Sequence, residues 1–199
     1  MLLSDFLRFV SLTPHQIREE SMNLPVGYNE RNEFAPSPEQ LLQNYLMPKI
    51  SGDMLPCDVI KEKEIYGLNA NPWVVLDDFS TLWTISGEFE KTAYVFARLT
   101  KKRTSMRKAG CGTWCGRTSR MNIMDMTGEI IGKKRLMGFE INDVTALGDG
   151  NDLRKVGSWK MYEISLCGHD DDYVVCQIIH DTSKKAKVFN VPRTSFNNL

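Results

Sequence analysis

Arg107-Lys108-Ala109-Gly110-Cys111-Gly112-Thr113-Trp114-Cys115-Gly116-Arg117-Thr118-Ser119-Arg120 is the stretch on which the reading of this chain turns. It reads as a strand rich in small residues, set inside a basic run. Side chains alternate along a strand, so Thr113, Cys115 and Arg117 share one face, and Trp114 and Gly116 the other. Trp114 is suited to anchor the strand to a core. The opposite face is narrow, with small groups and one guanidinium. A strand edge of that kind fits the major groove of DNA, where arginine pairs with O6 and N7 of guanine. Lys101, Lys102, Arg103, Arg107 and Lys108 flank it and can clamp phosphates, which gives affinity without sequence information. A Gly-rich loop with solvated charges accounts for the same residues, and on these residues alone both readings stay open.

The surrounding charge points the same way. From Arg98 to Arg135 there are eleven Lys and Arg against two acids, Asp125 and Glu129, a net charge of +9 that leaves −9 on the rest of a neutral chain. Such polarity suits a basic face aimed at an anionic partner, although a basic surface folded against neighbouring acids fits too. Lys133, Lys134 and Arg135 add phosphate contacts, serve with Lys101–Arg103 in nuclear import, or simply form a charged strand face.

Downstream of Pro72 the pattern is β. Candidate strands are Trp73–Leu76, Thr92–Leu99, Gly112–Arg117, Ile130–Ile141, Ser158–Leu166 and Asp172–His180, rich in β-branched and aromatic residues and often alternating. Their short connections favour antiparallel pairing. Asn142–Gly157 reads as a polar excursion between two strands. Upstream, Ser37-Pro38-Glu39-Gln40 carries an N-cap, a proline at the first helical position and a capping-box glutamine. Leu41, Leu42, Tyr45 and Leu46 then form one apolar face, and Pro48 disfavours continuation. Asp58–Tyr66 reads as a second short helix stopped by Gly67. Helices first and strands after predict an α+β fold, a twisted antiparallel sheet flanked by a few short helices. Residues 1–23 form an appendage whose apolar positions suit a short amphipathic helix from about Ser4. Residues 24–180 form the domain, and 181–199 a polar basic tail expected to fray.

The remaining chemistry is sparse. Five cysteines (57, 111, 115, 167 and 176) and an N-terminus without a basic leader segment predict a reduced intracellular protein. No apolar run approaches the roughly 20 residues that span a membrane. Cys111, Cys115, Cys167 and His169 include zinc-type ligands, but buried or incidental thiols account for them more simply. His15, His169 and His180 are the only candidate bases for a catalytic cysteine, and no nucleophile signature surrounds any thiol. Asp170-Asp171-Asp172 reads as a solvated turn. No metal, cofactor, small-molecule substrate, membrane partner or enzymatic activity is expected.

The ordered blocks have a counterpart. Leu24-Pro25-x-Gly27-Tyr28, then Phe34-x-Pro36-Ser37-Pro38-Glu39-Gln40-Leu41-Leu42-x-x-Tyr45-Leu46, resembles the opening motif of plant NAC domains. Leu55-Pro56, Ile60, Ile65-Tyr66 and Asn71-Pro72-Trp73 resemble the second block. Tyr94-Val95-Phe96, Arg107-x-Ala109-Gly110-x-Gly112-x-Trp114, Gly132-x-Lys134-x-Leu136-x-x-Phe139, Trp159-x-Met161-x-Glu163-x-x-Leu166 and Asp172-Tyr173-Val174-Val175-Cys176-x-Ile178 follow in the family's order. The resemblance covers about Leu24 to Ile179.

The resemblance implies a twisted antiparallel sheet domain, a homo- or heterodimer with another NAC-type protein, a nuclear location, and sequence-specific binding of double-stranded DNA in transcription. Arg107 then matches a DNA-contacting arginine and Lys102 a backbone-contacting lysine. Thr113, Trp114, Cys115, Gly116, Arg117 and Thr118 match the strand that enters the major groove, and Arg120 extends its basic flank. The dimer motif maps to Leu24, Pro25, Gly27, Tyr28, Glu33, Phe34 and Gln40. Two departures stand out. The family's Tyr–Trp–Lys–Ala–Thr–Gly is Thr113 to Thr118 here, with Cys115 at the lysine and Arg117 as a substitute cation. Four residues are inserted after Tyr28, with Glu33 at the dimer arginine and Gln40 at its partner glutamate. An interaction module that pairs with NAC proteins without reading DNA is the alternative these departures allow.

Overall fold

Ser37 opens the first helical segment as its sequence predicts. Its hydroxyl accepts from Gln40 N (3.1 Å), and Gln40 Oε1 accepts from Ser37 N (2.9 Å). From this capping box run an α turn (α1, Pro38–Gln40), a π-helical stretch (Leu41–Leu46) and a closing α stretch (α2, Met47–Ser51). The helix therefore passes through Pro48. Proline cannot donate to the preceding turn and its ring crowds a carbonyl there. The wider π turn just before it relieves that crowding, with Met47 N donating to Leu42 O. Gly52, at φ 76°, ends the segment in the left-handed region. Replacing Ser37 with alanine is expected to lower stability by about 1 kcal/mol, read as a lower urea midpoint at unchanged slope.

The computed structural model describes residues 25–77, 81–99, 106–142, 157–168 and 172–188. Leu24, the amphipathic segment from Ser4, Lys101, Lys102, Arg103, most of Asn142–Gly157 and His169 lie outside them. Among the described residues ten strands follow: β1 (Lys61–Glu62), β2 (Trp83–Ile85), β3 (Glu90–Arg98), β4 (Met106–Ala109), β5 (Gly112–Gly116), β6 (Met121–Met124), β7 (Ile130–Ile141), β8 (Ser158–Leu166), β9 (Tyr173–Asp181) and β10 (Lys187–Val188). They join one sheet in the order β1-β3-β9-β8-β7-β5-β4, with β2 beside β3 and with β6 and β10 beside β7. The long pairings are antiparallel, and the short strands β1 and β10 pair in parallel with β3 and β7. The α+β expectation holds. Pairing also continues into the polar tail as far as Val188.

Two predicted elements differ. Asp58–Tyr66 is not a helix. Ile60 enters one core, with Phe34, Leu42 and Phe96, whereas Ile65 and Tyr66 enter the other, with Val95 and Trp114. An extended segment at the sheet edge reaches both faces, whereas a helix presents one apolar stripe. Trp73–Leu76 is not a strand but the turn of helix α3 (Pro72–Val75), because Asn71-Pro72 is a helix start, with Leu76 N donating to Pro72 O.

The sheet buries both faces over part of its area. On the outer face, Leu41, Leu42, Tyr45 and Leu46 pack over Phe96, Val175 and Ile164. Gly132 gives the helix its closest approach: a Cβ there would stand 2.3 Å from Leu42 Cδ1. The inner face is concave and holds Trp114, Met137, Phe139, Ile141, Met161, Cys176 and Ile178 beneath Ile65–Leu76. Arg107 on β4 reaches Glu163 on β8, three strands away, across this concavity. A flat sheet would separate those backbones by about 14 Å, so the two long side chains extend towards each other across the inner face.

Candidate nucleic-acid interface

The β4–β5 hairpin carries the stretch quoted at the outset. Ala109 pairs with Gly112, leaving Gly110-Cys111 as a two-residue loop with Gly110 at φ 56°. Glycine at the first loop position suits such a hairpin. Asn71 clasps the loop: its Oδ1 accepts from Cys111 N at 2.9 Å, and a Cβ on Gly110 would lie 2.0 Å from that oxygen. The NAC-like blocks around Asn71 and Gly110 are thus one contact.

Side-chain parity sorts the candidates. Trp114 points inward, 1% exposed, edge-on to Phe139 at 5.2 Å. It anchors the strand, and its ring lies on the inner face of the sheet, opposite Thr113 and Cys115. Arg107, its register partner, points inward as well. The Arg107 side chain is 2% exposed, with Nε 2.9 Å and Nη2 3.1 Å from the Glu163 carboxylate. Tyr66 donates to the same carboxylate at 3.0 Å, and Arg135 Nη2 lies 3.5 Å from it. Burial opposes the Arg107 charge, but Glu163 outweighs it and raises the pKa; burial pushes the Tyr66 phenol well up. Arg107 therefore stands apart from the other candidates, in the core of the curl. Sequence reasoning missed its partner because no local spacing links residue 107 to residue 163.

The outer face is read in rows across the strands. Lys134, Ile164, Val175 and Phe96 form the row under the helix. Two rows on lie Met106, Cys115, Gly138 and Lys160, then Lys108, Thr113 and Glu140. Thr113 and Asn142 hydrogen-bond to each other through their side chains (2.9 Å). Cys115 is nearly covered, and burial first, then Glu140, pushes its thiol pKa up. Arg117 folds back over Gly138 and pairs with Glu140. Thr118 Oγ1 accepts from Leu136 N, and Gly116, Lys108 and Arg120 are exposed. Lys160 and Glu140 were not singled out from sequence, although the alternation of β8 and β7 places both on this face.

Among the described residues no three His, Cys, Asp or Glu side chains gather as a metal site, and the five cysteines form no disulfide with one another. The insertion after Tyr28 forms its own tight hairpin. Tyr28 bridges Phe34, Asn32 adopts φ 58°, and Asn29 Oδ1 accepts from Arg31 N and Glu33 N. Asn29 Nδ2 also donates to the Glu33 carboxylate at 2.9 Å. Glu33 and Gln40 both make contacts within the chain at the positions where the resemblance implies a cross-dimer pair. Gly27, at φ 102°, packs on the Phe34 ring, and Pro25 precedes it.

The family model described as "No apical meristem (NAM) protein" matches residues 25–166. The chain is 27% identical to Protein ATAF2 of Arabidopsis thaliana, over 89% of this chain and 62% of that protein. It is 26% identical to NAC domain-containing protein JA2 of Solanum lycopersicum, over 83% of this chain and 45% of that protein. The chain thus spans less than two thirds of either relative. The matched region runs from the Pro25 motif through α1, the β4–β5 hairpin and the end of β8, and on that basis the chain belongs to the NAM family and carries a NAC domain, the DNA-binding domain type of plant transcription factors.

Proposed function

We propose that the chain binds double-stranded DNA sequence-specifically through the outer face of β4, β5 and β7. In this reading it regulates transcription in the nucleus, as a dimer with itself or another NAC-type protein. One observation carries the proposal. Beside the helix-covered rows lies a surface of small residues, Thr113, Cys115 and Gly138, bordered by the cations Lys108, Arg117 and Lys160. Small side chains let a sheet approach base edges, and bordering cations meet phosphates. Lys101, Lys102, Arg103 and Arg120 extend the basic margin in sequence. Arg117 supplies the groove contact, whereas Arg107 and Trp114 lie on the inner face and touch no DNA.

The test is selection from a randomised duplex pool by the purified protein, with selected sites re-measured across salt. Enrichment of a short motif is expected, with affinity falling as salt rises. Arg117→Ala is expected to weaken the selected site about tenfold or more, a loss of roughly 1–3 kcal/mol, with little change on random duplex. A second reading, an interaction module that pairs with relatives without reading DNA, is favoured by the burial of Arg107 and by the acid Glu140 on the presented face. Salt-insensitive or absent duplex binding would select it.

A further inference from the structure

We propose that Gly138 and Glu140 are positioning residues that hold Arg117 as a reader of guanine, a device that rests on the DNA-binding reading above. Cys115 is neutral and nearly covered, and Thr113 is bonded to Asn142, so neither supplies a planar cation on β5. Lys108 and Lys160 are point charges on flexible stems, suited to phosphates rather than to a two-point match with a base. Arg117 alone among these side chains carries a fork of in-plane donors that fits guanine O6 and N7.

The surroundings of Arg117 are built to fit it. Its guanidinium packs against β7 over Gly138, where a Cβ would stand 2.7 Å from Nε and 3.2 Å from Nη2. Gly138 is in mid-strand and is not among the glycines with positive φ, so the missing side chain provides room rather than a turn. Two residues on, on the same face, Glu140 accepts from Nη2. The Arg117 side chain is 34% exposed and that of Glu140 15%. Floor and anchor thus restrain the guanidinium while its outward side stays open.

A restrained arginine loses less rotamer freedom when the groove arrives than a solvated one does, so its contact contributes more to discrimination. The neighbouring carboxylate also disfavours docking of a phosphate on the same spot, which biases the fork towards a base edge. Together these features explain why an acid sits on a face that meets a polyanion.

The experiment compares base preferences of the wild type, Glu140→Gln, Gly138→Ala and Arg117→Lys in the randomised duplex pool, with thermal melting to confirm that each is folded. The wild type is expected to enrich a motif with a fixed guanine. At that position Glu140→Gln and Arg117→Lys are expected to lose discrimination on the order of tenfold or more. Glu140→Gln should bind random duplex at least as well as before, since an anion has been removed. Gly138→Ala displaces the far end of a flexible side chain rather than backbone, so it is expected to fold and to lose the same base preference. Retention of the guanine preference in Glu140→Gln and Gly138→Ala would overturn the positioning role, as would tighter binding of an unchanged motif by Glu140→Gln, which would make Glu140 a mask. A wild type that binds no duplex would overturn the DNA-binding reading itself, a result distinct from either.

Discussion

Glu163→Ala is expected to destabilise the domain by about 3–5 kcal/mol, the scale for leaving buried charge without its partner. Glu163 is 5% exposed and faces Arg107 and Arg135 at once, with Tyr66 as a third donor. Alanine would remove the carboxylate that two buried guanidinium groups share, one held in register on β7 and the other reaching over from β4. For a domain of this size the loss corresponds to a fall in melting temperature on the order of 10 °C. Glu163→Gln keeps the acceptor shape but not the charge and should fall between. Urea denaturation with an unchanged slope is the measurement, and a loss below about 1 kcal/mol for alanine would show that water reaches the cluster. The same cluster separates two roles for Arg107. At a temperature where Arg107→Ala remains folded, DNA affinity should stay close to wild type, whereas a groove contact would be lost regardless of stability.

Trp114→Ala is expected to cost about 3–5 kcal/mol through lost burial and the cavity left against Phe139. The neighbourhood relaxes poorly, because Gly112 already lies against the Phe139 ring and the Glu140 carbonyl: a Cβ there would stand 2.4 Å and 2.5 Å from them. Trp114→Phe should cost much less and retain duplex binding. If Trp114→Phe stayed fully folded yet lost specific binding, the indole would have a role at the DNA that its position in the core does not explain. Both substitutions act on the inner packing of β5 rather than on its outer face.

The local signals in this chain were the legible ones. Ser37 and Gln40 form a capping box wherever such a pair starts a helix, and β7 and β8 begin and end where alternation begins and ends. Strand parity alone separated Trp114 from Thr113, Cys115 and Arg117. The misread segments each depended on something distant. Val59, Ile60, Ile65 and Tyr66 have helix-compatible spacing but divide between two cores on opposite faces of the sheet, which only the path of β3 decides. Arg107 resembled every other cation in a basic run, because its partner lies on a strand 56 residues later. Glu140 counted simply as an acid outside the basic span, because Arg117 reaches it only by folding back along β7 over Gly138. Charge in the sequence marks where a guanidinium is, not which side of a curled sheet it enters.

The pairing of β3 with β9 has a consequence for biosynthesis. Arg98 waits for Tyr173, 75 residues later, before its strand has a neighbour along its whole length. The outer-face helix waits too, since it rests on Val175 and Ile164 as well as on Phe96. At roughly 5–20 residues per second, a ribosome takes about 4–15 s to supply the missing strand. For that interval the nascent chain presents Tyr94, Val95 and Phe96 on an unpaired edge. Such non-local order slows folding and leaves the β9-facing edge of β3 as a template for association until β9 arrives.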